Sequence, residues 1–495
     1  MKLSDKIREK VRSYLRIENP QAITVNIDQL GDFDVETFVN LVWCRGKANE
    51  IEQLYHQMRN HITNTYFWGS TPTQGSKIRK IHTGLPGLIV DVLTNVCTDD
   101  LNTISLSKRQ EEWDSICEEN ELKELISTAV SDVLALGDGA FKLSYDESIS
   151  ELPIIEFFPA NRVDYEYVRG RIKTITFKTD KVVKGKNYTL KELYSKNSIR
   201  YALEDEQGKE VDISAFDEFA DCLPVSWNSG FIAAVPLMFR KSKTYRGRGK
   251  SIFDGKIPAF DSFDEVYSQW MLAVRKGQIK TYIPEMFLPR HPETGKIMPT
   301  NDFDNDYVAL GSDMAEGGTN KIETTQGEIQ YEALLASYCT ALDLCLQGII
   351  SPSTLGIDVK KLDNADAQRE KEKTTLYTRS IVVSKLTAAL KQLVKVTLAF
   401  NDCLNKTESK EKVEVTVNFG GYANPSFEAN VETVGKAATT GIMSVETQVE
   451  ELYGDSKEED WKKKEVQRIK FEKGIETGLS EPAVNNNPTG IDVNG

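Results

Sequence analysis

A long helical tract in the last third of the sequence constrains the fold more than any other feature. From Ala365 to about Cys403, apolar residues recur in two heptad rows, Leu376, Val383 and Leu390 in the first and Leu386, Leu393 and Phe400 in the second. At 1.5 Å per residue, the predicted helix is about 60 Å long. Helices of globular proteins are usually much shorter, so this element argues against a small globular enzyme.

Two shorter helices of similar length precede the long tract and flank an insert. The first carries one apolar face from Ser262 through Gly277, and the second runs from Tyr331 to Gly348. The insert between them, Ile279 to Gln330, is rich in Pro, Gly and Asp, with strand-like stretches at Thr281 to Leu288 and Tyr307 to Leu310. This order predicts an antiparallel helix pair with a small cap at its far end. A loop, Ser351 to Asp363, then leads into the long helix.

The N-terminal half of the chain changes from helical to strand periodicity. Helices are predicted within Val35 to Asn60, Leu85 to Thr98 and Ser107 to Leu136, and Gly137-Asp138-Gly139 ends the last one. Alternating patterns then predict strands at Ala140–Tyr145, Ile154–Phe158, Arg162–Val168, Lys173–Lys178 and Asn187–Tyr194. Residues 185–187 and 206–208 are candidate hairpin tips. Helices followed by an antiparallel β region predict an α+β fold.

The C-terminal part has a strand, a helical block and a polar tail. The strand is predicted at Lys412 to Phe419 and the helices within Phe427 to Gly474. Ser444 is expected to be an N-cap, and Ser456 with Glu459 fits a capping box. From Gly478 onward Pro, Asn and Gly dominate, which predicts a disordered tail.

Composition excludes several classes of protein. The chain has 495 residues, 40% hydrophobic and 27% charged, enough for about three domains. Neither a signal-peptide run nor an apolar stretch of bilayer length is present, so we expect no secretion and no membrane partner. Seven scattered cysteines without a CxxC pair support neither a disulfide framework nor a zinc site. A net charge of −14 argues against tight nucleic-acid binding, although it suits a wall past which DNA slides.

Candidate chemical motifs are weak. Gly249-Lys250-Ser251 matches the end of a phosphate loop, but Thr244 stands where the first Gly belongs. The surrounding basic run from Arg240 to Lys250 is either a solvated or subunit-bridging loop or a contact for phosphates. The histidines lack metal-ligand spacing, and Asp302, Asp304 and Asp306 lack the rest of a calcium loop. We therefore predict no catalytic residue, no metal, no cofactor and no enzyme activity.

Five local motifs follow one another along nearly the whole chain, Leu134–Lys142, Gly249–Phe253 with the helix after it, Ile349–Gly356, Asn364–Asp366 and Gly441–Thr447. In this order they resemble the portal proteins, or head-tail connectors, of tailed bacteriophages that infect Gram-positive bacteria. The resemblance implies a multidomain α+β portal fold with wing, stem helices, clip and crown, assembling as a ring of about twelve copies.

The resemblance assigns each part of the chain to a portal region. It implies a wing at 1–257, a first stem helix at 258–278, a clip at 279–330, a second stem helix at 331–350, a tunnel loop at 351–364, a long wing helix and strand at 365–425, a helical crown at 426–477 and a disordered tail at 478–495.

The resemblance also implies the function, partners and location. The ring would form the DNA channel at one capsid vertex, for genome packaging, head-tail joining and DNA ejection. Its partners would be itself, double-stranded DNA, the large terminase subunit, head-completion or adaptor proteins, and the major capsid and scaffolding proteins. The protein would lie at the portal vertex of the virion after assembly in the bacterial host cytoplasm.

Two sets of site residues follow from these expectations. The tunnel loop and DNA channel would involve Ser351, Pro352, Ser353, Thr354, Leu355, Gly356, Lys360 and Lys361. Lys360 and Lys361 either touch phosphates or pair with Asp358 and Asp363. Contacts to DNA or to a neighbouring subunit are expected from Arg246, Arg248, Lys250, Arg275, Lys276 and Lys280.

Two alternative functions stay open from the sequence. A nucleic-acid enzyme of the packaging machinery would need a complete phosphate loop or a metal carboxylate cluster, and neither pattern is present. Another head-tail adaptor or a baseplate protein is the second alternative. Such proteins are often β-rich, whereas this chain orders helix, insert, helix, loop and long helix.

Overall fold

The computed structural model describes residues 31–58, 66–70, 78–183, 185–220, 222–288, 290–297, 307–310, 322–357, 365–406, 413–419, 427–453 and 459–472. The expected disordered tail, Lys360, Lys361 and the capping Ser456 lie outside these ranges. The chain divides into two compact units, Met1–Phe419 and Gly420–Gly495. The fold contains both helices and antiparallel sheets, which confirms the α+β class.

The first unit begins with helices that pack into one hydrophobic core. In chain order the elements are α1 Asp32–Arg45, α2 Ala48–Gln57, α3 Leu85–Thr98, β1 Leu101–Leu106, α4 Gln110–Glu119 and α5 Leu122–Leu136. Trp43 of α1, Ile89 of α3 and Val130 of α5 are buried in this core. Burial of such side chains supplies the main favourable free energy of folding.

The single helix predicted over Ser107 to Leu136 is wrong, because the structure breaks it into α4 and α5. Glu121 has a left-handed φ of 45°, which ends α4. The Asn120 side-chain amide donates to the carbonyls of Ile116 and Pro153, and its oxygen accepts the Ile155 N–H at 2.7 Å. These bonds tie the break to the strand that follows, and apolar periodicity carries no sign of them.

The β region that follows is antiparallel. Its strands are β2 Asp138–Ser144, β3 Ile154–Pro159, β4 Val163–Val168, β5 Arg171–Val183, β6 Lys186–Ser195, β7 Ser198–Asp205, β8 Glu210–Val211, β9 Val225–Ser226 and β10 Ala234–Met238. One sheet has the order β10-β2-β3, and a larger one has the order β4-β5-β6-β7-β8 with β9 paired to β7. The five predicted strands and both hairpin tips are confirmed, whereas β7, β8, β9 and β10 were not predicted.

Strand β2 is buried along nearly its whole length, including two charged residues, Asp138 and Lys142. Lys142 pairs with Glu156 at 2.8 Å and Glu192 at 3.1 Å, and its ammonium lies 4.8 Å from the centre of the Phe158 ring. Two carboxylates and an aromatic face compensate the loss of hydration of this ammonium group. Lys142 therefore joins the two sheets.

The remaining elements of the first unit match the predicted order. They are α6 Ile257–Lys276, β11 Lys280–Pro284, β12 Tyr307–Leu310, β13 Glu323–Thr325, α7 Tyr331–Leu346, α8 Ala365–Leu404 and β14 Val415–Phe419. The helix pair, the insert strands and the 40-residue helix α8 are confirmed as elements of secondary structure. The strand predicted over Thr281 to Leu288 ends earlier, because Pro284 leads into a short 3-10 turn.

Helix α8 packs by its middle and last turns, which include all of the second predicted heptad row, Leu386, Leu393 and Phe400. Leu386, Leu390 and Leu393 are fully buried, whereas Leu376 of the first predicted heptad row is exposed. Strand β14 pairs with β1 far back in the chain, and α8 packs on β10 and β14. The buried face thus follows the ordinary 3.6-residue period of a core helix.

The second unit contains three helices in its described part, α9 Phe427–Thr439, α10 Val445–Tyr453 and α11 Glu459–Glu472. The Ser444 hydroxyl accepts the Thr447 N–H at 3.3 Å, so the predicted N-cap is confirmed. Tyr453 packs on Trp461, and Lys462 pairs with Glu450 at 3.0 Å. These contacts hold α10 against α11.

Candidate functional site: the helix pair and its base

Helices α6 and α7 run antiparallel along their whole length. Lys256, just before α6, donates to the Leu344 carbonyl near the end of α7. Further along, the Tyr338 ring packs between Phe263 and Trp270, with ring centres 5.1 and 5.5 Å away. Beyond the helices, Lys280 of β11 pairs with Thr325 of β13 in antiparallel register. The helix hairpin therefore continues into an antiparallel pair of strands, which confirms the predicted capped pair.

The two halves of this hairpin differ in burial. We call residues 257–268 with 341–346 the base, and residues 269–276 with 331–340 the distal half. The base buries the side chains of Phe260, Phe263, Leu342, Cys345 and Leu346. No residue of the distal half is buried. Large apolar side chains stand exposed along the distal half and at its end, among them Val274, Ile279, Ile322, Ile329 and Tyr331.

A network of buried hydrogen bonds fixes the base to the N-terminal helices. Asp264, 1% exposed, accepts hydrogen bonds from Trp68 Nε1 at 3.0 Å and from the Thr83 N–H and hydroxyl. It also lies 2.7 Å from His82 Nδ1, itself buried. Hydrogen bonds to a buried carboxylate are among the stronger ones in proteins. Asp264 therefore holds Trp68, His82 and Thr83 against α6.

Two neighbours of Asp264 extend this network. The Asp261 carboxylate accepts the backbone N–H groups of Phe67 at 2.7 Å and Trp68 at 3.1 Å. Burial raises the pKa of Asp261 to about 6, although these two N–H groups act in the opposite direction. One turn on, the Ser268 hydroxyl accepts the Ile81 N–H at 3.0 Å. Three polar residues on one face of α6 thus bind the same N-terminal segment.

A third buried carboxylate, that of Asp138, accounts for the Gly249-Lys250-Ser251 motif. Asp138 accepts the Gly249 N–H at 2.6 Å, and the Ser251 hydroxyl donates to the Ala135 carbonyl at 2.5 Å. A Cβ on Gly249 would overlap the Gly137 carbonyl, so Gly is required there. The motif therefore closes a loop onto the end of α5, and its donors are not arranged around a phosphate.

The six expected DNA or subunit contacts fall into two groups at opposite ends of α6. Arg246 and Lys250 are exposed before the helix, and Arg275, Lys276 and Lys280 lie at its far end. The helix has 20 residues, so the groups are about 30 Å apart and form no single site.

Arg248 differs from the other five because its side chain is mostly buried. It is 12% exposed, donates to the carbonyls of Val163 and Ala160 at 2.7 Å, and pairs with Asp138 at 3.2 Å. Its guanidinium also stacks on Phe33, 3.9 Å from the ring centre. Arg248 therefore stabilises the protomer, with little surface left for DNA.

The first half of the expected tunnel loop is a compact turn anchored on α8. The Thr375 hydroxyl accepts the Ser351 N–H at 2.9 Å and lies 3.0 Å from the Thr354 hydroxyl. Ser351 is buried, and backbone bonds from Thr354, Leu355 and Gly356 close successive turns. Ser351 thus anchors the turn, while Pro352, Ser353, Thr354, Leu355 and Gly356 lie nearer its surface.

The buried anchors of the base were not predicted from the sequence as functional. His82 was considered only as a metal ligand, and Asp138 only as part of a helix stop. One signal was available, because Asp261 and Asp264 share a helix face with Phe260 and Phe263. A carboxylate within an apolar face must find donors elsewhere, but the sequence does not say where.

Within the described ranges, no group of three or more His, Cys, Asp or Glu side chains is arranged to hold a metal ion. No described helix combines the length and the apolarity required to cross a bilayer. The expected absence of enzyme activity stays a prediction.

Comparisons with known proteins give a partial structural similarity. No protein-family model and no curated protein matches the chain. Among solved structures, it resembles a chain of the neck of a native gene transfer agent particle computed with C12 symmetry, with a TM-score of 0.39, 12% identity, and coverage of 74% of this chain and 90% of that chain.

Two further structures show the same level of similarity. A chain of the virion of the native gene transfer agent has a TM-score of 0.38 and 12% identity, over 80% of this chain and 95% of that one. A chain of the neck of the empty particle, computed with C6 symmetry, has a TM-score of 0.40 and 12% identity, over 76% and 93%. The function proposed below therefore rests on the geometry of the chain itself.

Proposed function

We propose that this chain is the subunit of a portal ring, whose paired helices form the wall of a channel for double-stranded DNA at one vertex of a phage-like particle. In this proposal residues 258–278 and 331–350 are stem helices, 279–330 the clip, 351–364 the tunnel loop and 426–477 the crown. Packaging, head-tail joining and DNA ejection are the functions that such a ring serves. The terminase, head-completion, capsid and scaffolding proteins are its proposed partners.

The observation that carries the proposal is the exposure of apolar side chains along the distal half of the helix hairpin and at its end. Its base is packed and hydrogen-bonded, yet none of its distal residues is buried, and Ile322 and Tyr331 are 60% and 57% exposed. Exposed apolar patches of this kind mark surfaces that bind another protein. Identical copies in a closed ring cover such a surface through head-to-tail contacts, without a separate partner.

The shape of the elements also suits a ring. A helix hairpin fixed at its base is a rigid element that can form part of a channel wall. Helix α8 is about 60 Å long and packs in the hydrophobic core of the same unit. The turn after Ser351 joins α7 to α8 and is anchored by Thr375. A loop anchored between α7 and α8 can face a channel that the helix hairpins of the ring enclose.

Charge agrees with a channel that DNA passes through without binding tightly. The chain carries a net charge of −14, so its affinity for phosphates is low over most of its surface. The proposal restricts DNA contact to the tunnel loop and to separate basic residues such as Lys276. Arg248 is left out of this set because its side chain is mostly buried and both of its terminal nitrogens donate to carbonyls within the protomer.

Imaging of the purified chain tests the proposal directly. Negative-stain images are expected to show hollow rings, and native mass determination is expected to give one closed oligomer, with about twelve copies. A monodisperse monomer at every salt concentration contradicts the ring.

A deletion tests the tunnel loop separately. Removal of residues 353–361 is expected to leave the rings intact while DNA packaging fails. Loss of assembly in this variant contradicts the loop assignment, since a loop that faces the channel carries little of the ring interface.

The main alternative, an enzyme of the packaging machinery, lacks support in the described residues. The motif closest to a phosphate loop donates to Asp138 and Ala135 instead of surrounding an anion. No observation favours that alternative, nor the baseplate protein, over the ring subunit.

A further inference from the structure

A narrow cavity lies where α5, α7 and α8 meet the loop before α6. Its volume is about 120 Å³, and its interior is lined mainly by Val133, Phe239, Ile252, Ile349, Ile381 and Val382. A dry cavity of roughly 150 Å³ holds one benzene molecule, so this one has room for a single aliphatic side chain. The cavity is therefore the size of one residue, too small for a nucleotide or a helix.

The rim of this cavity is positively charged. Arg240, Lys250 and Lys256 lie on it, with Asp254 as the acidic member. Within the described part of the chain, the Arg240 side chain makes no hydrogen bond or ion pair. Lys256 donates one hydrogen bond, to the Leu344 carbonyl, and Lys250 is exposed. The cavity thus suits an apolar side chain that is flanked by carboxylates.

The chain carries such a group on another surface, which we call the acidic tip, residues 145–151. The Ile149 side chain is 71% exposed at its end, and Asp146, Glu147 and Glu151 surround it. The tip is ordered by its own bonds, since the Asp146 carbonyl accepts the N–H groups of Ile149 and Ser150 at 3.0 Å. An exposed isoleucine held in a fixed turn loses little entropy on binding.

The acidic tip cannot fill the cavity of its own protomer. Strand β2 begins at Asp138, beside the loop that lines the cavity, and ends at Ser144, where the tip starts. Seven residues of strand span about 20 Å, so tip and cavity lie at opposite ends of β2. Only a second copy can bring them together, and two different surfaces on one protomer are what a closed head-to-tail ring needs.

From this complementarity of charge and size, we infer that the acidic tip of one copy docks into the basic-rimmed cavity of the next copy, with Ile149 inside and Glu147 and Glu151 facing Arg240 and Lys250. The inference rests on the proposed function, because it needs a ring. It adds a specific contact between neighbouring copies, in which the acidic tip that follows strand β2 of one copy binds the cavity of the next.

A cross-linking experiment tests the contact on the full chain. Gln347 is an exposed residue on the rim of the cavity, so Ile149→Cys with Gln347→Cys is expected to form disulfides between copies under mild oxidation. Denaturing gels should then show a ladder of covalent oligomers. The matched control is Val182→Cys with Gln347→Cys, because Val182 is 72% exposed on a different hairpin. The control is expected to give no ladder above that of Gln347→Cys alone.

Charge reversal gives an independent readout. Arg240→Glu with Lys250→Glu is expected to raise the concentration for half-assembly at least about tenfold, because like charges then face each other. Adding Glu147→Lys with Glu151→Lys is expected to restore assembly to within about threefold of the original chain. All four side chains are exposed, and circular dichroism checks that each variant folds.

The possible outcomes separate the two proposals. Rings that form normally in the charge-reversed variant, without a tip-specific ladder, overturn the docking contact and leave the ring standing. Failure of the unaltered chain to form any ring overturns both. A ladder with the tip pair alone, together with rescue by the second reversal, supports the contact.

Discussion

The base and the distal half of the helix hairpin belong to the same two helices, yet they are stabilised in different ways. The base is held inside the protomer by Asp261, Asp264 and Ser268, which bind residues 67–68 and 81–83. The distal half has ring contacts around Tyr338 and bare apolar side chains beyond them. The base is therefore stabilised within the protomer, whereas in the proposed ring the distal half is covered by neighbouring copies.

The largest expected effect comes from removing the central carboxylate of the base. Asp264→Ala leaves the buried Trp68 Nε1 and His82 Nδ1, together with the part-buried Thr83 N–H, without their acceptor. Unpaired buried donors are costly, so we expect a loss of about 3–5 kcal/mol in the free energy of unfolding, measured by urea denaturation. Gln269→Ala, one turn along on the exposed side of α6, should change it by less than about 0.5 kcal/mol. Equal effects of the two variants contradict the division between base and distal half.

Substitutions at two glycines compare a tightly packed site near the start of α6 with a more exposed site at its far end. In Gly249→Ala the new Cβ meets the backbone of Gly137, which cannot move without breaking the end of α5. We expect a loss of about 2–3 kcal/mol in unfolding free energy. In Gly277→Ala the new Cβ meets the Ile329 side chain, just beyond the distal half, which is exposed enough to rotate away. That variant should lose less than about 1 kcal/mol, and thermal unfolding of both variants checks the order.

Part of this arrangement could be predicted from the sequence because it depends on local periodicity. The helix hairpin, its insert and α8 follow from apolar spacing, and Ser444 follows from capping chemistry. The break at Asn120 could not be predicted, since its partners Pro153 and Ile155 lie more than thirty residues away. The pairing of Asp264 with His82 spans 182 residues and is set only by tertiary packing.

The basic run before α6 is a candidate site whose individual roles could not be predicted from the sequence. Its residues look alike in the sequence, but Arg248 is stacked on Phe33 and bonded to two carbonyls, while Arg240 and Lys250 are exposed. The buried Arg248 and the exposed Arg240 and Lys250 differ in burial, and the pattern of charges in the sequence does not indicate which of them is buried. The exposure of Ile149 and Tyr331 could not be predicted from the sequence either, because apolar residues at strand or helix spacing are normally assigned to the hydrophobic core.

An exposed residue of the distal half should matter for assembly and not for folding. Tyr331→Ser is expected to leave the unfolding free energy within about 0.5 kcal/mol of the original, because Tyr331 has few contacts in its own protomer. It should raise the concentration for half-assembly about tenfold, measured by sedimentation velocity, since aromatic side chains dominate the energetics of interfaces. Val182→Ser, which removes an exposed apolar group from the β5–β6 hairpin, is the control and should leave assembly unchanged.

The smallest expected effect is a pH dependence that only the base should show. Burial raises the pKa of Asp261 to about 6 from an unfolded value near 4. The folded chain therefore binds this proton more tightly than the unfolded one, so the contribution to stability is present below about pH 4 and is lost as the pH rises through 6. In Asp261→Asn this contribution disappears. The difference in unfolding free energy between original and variant should thus shift in favour of the variant by about 1 kcal/mol from pH 4 to pH 7. Glu332→Gln in the exposed distal half is the matched control and should show no such shift, so a parallel pH profile for both variants places the titrating group outside the base.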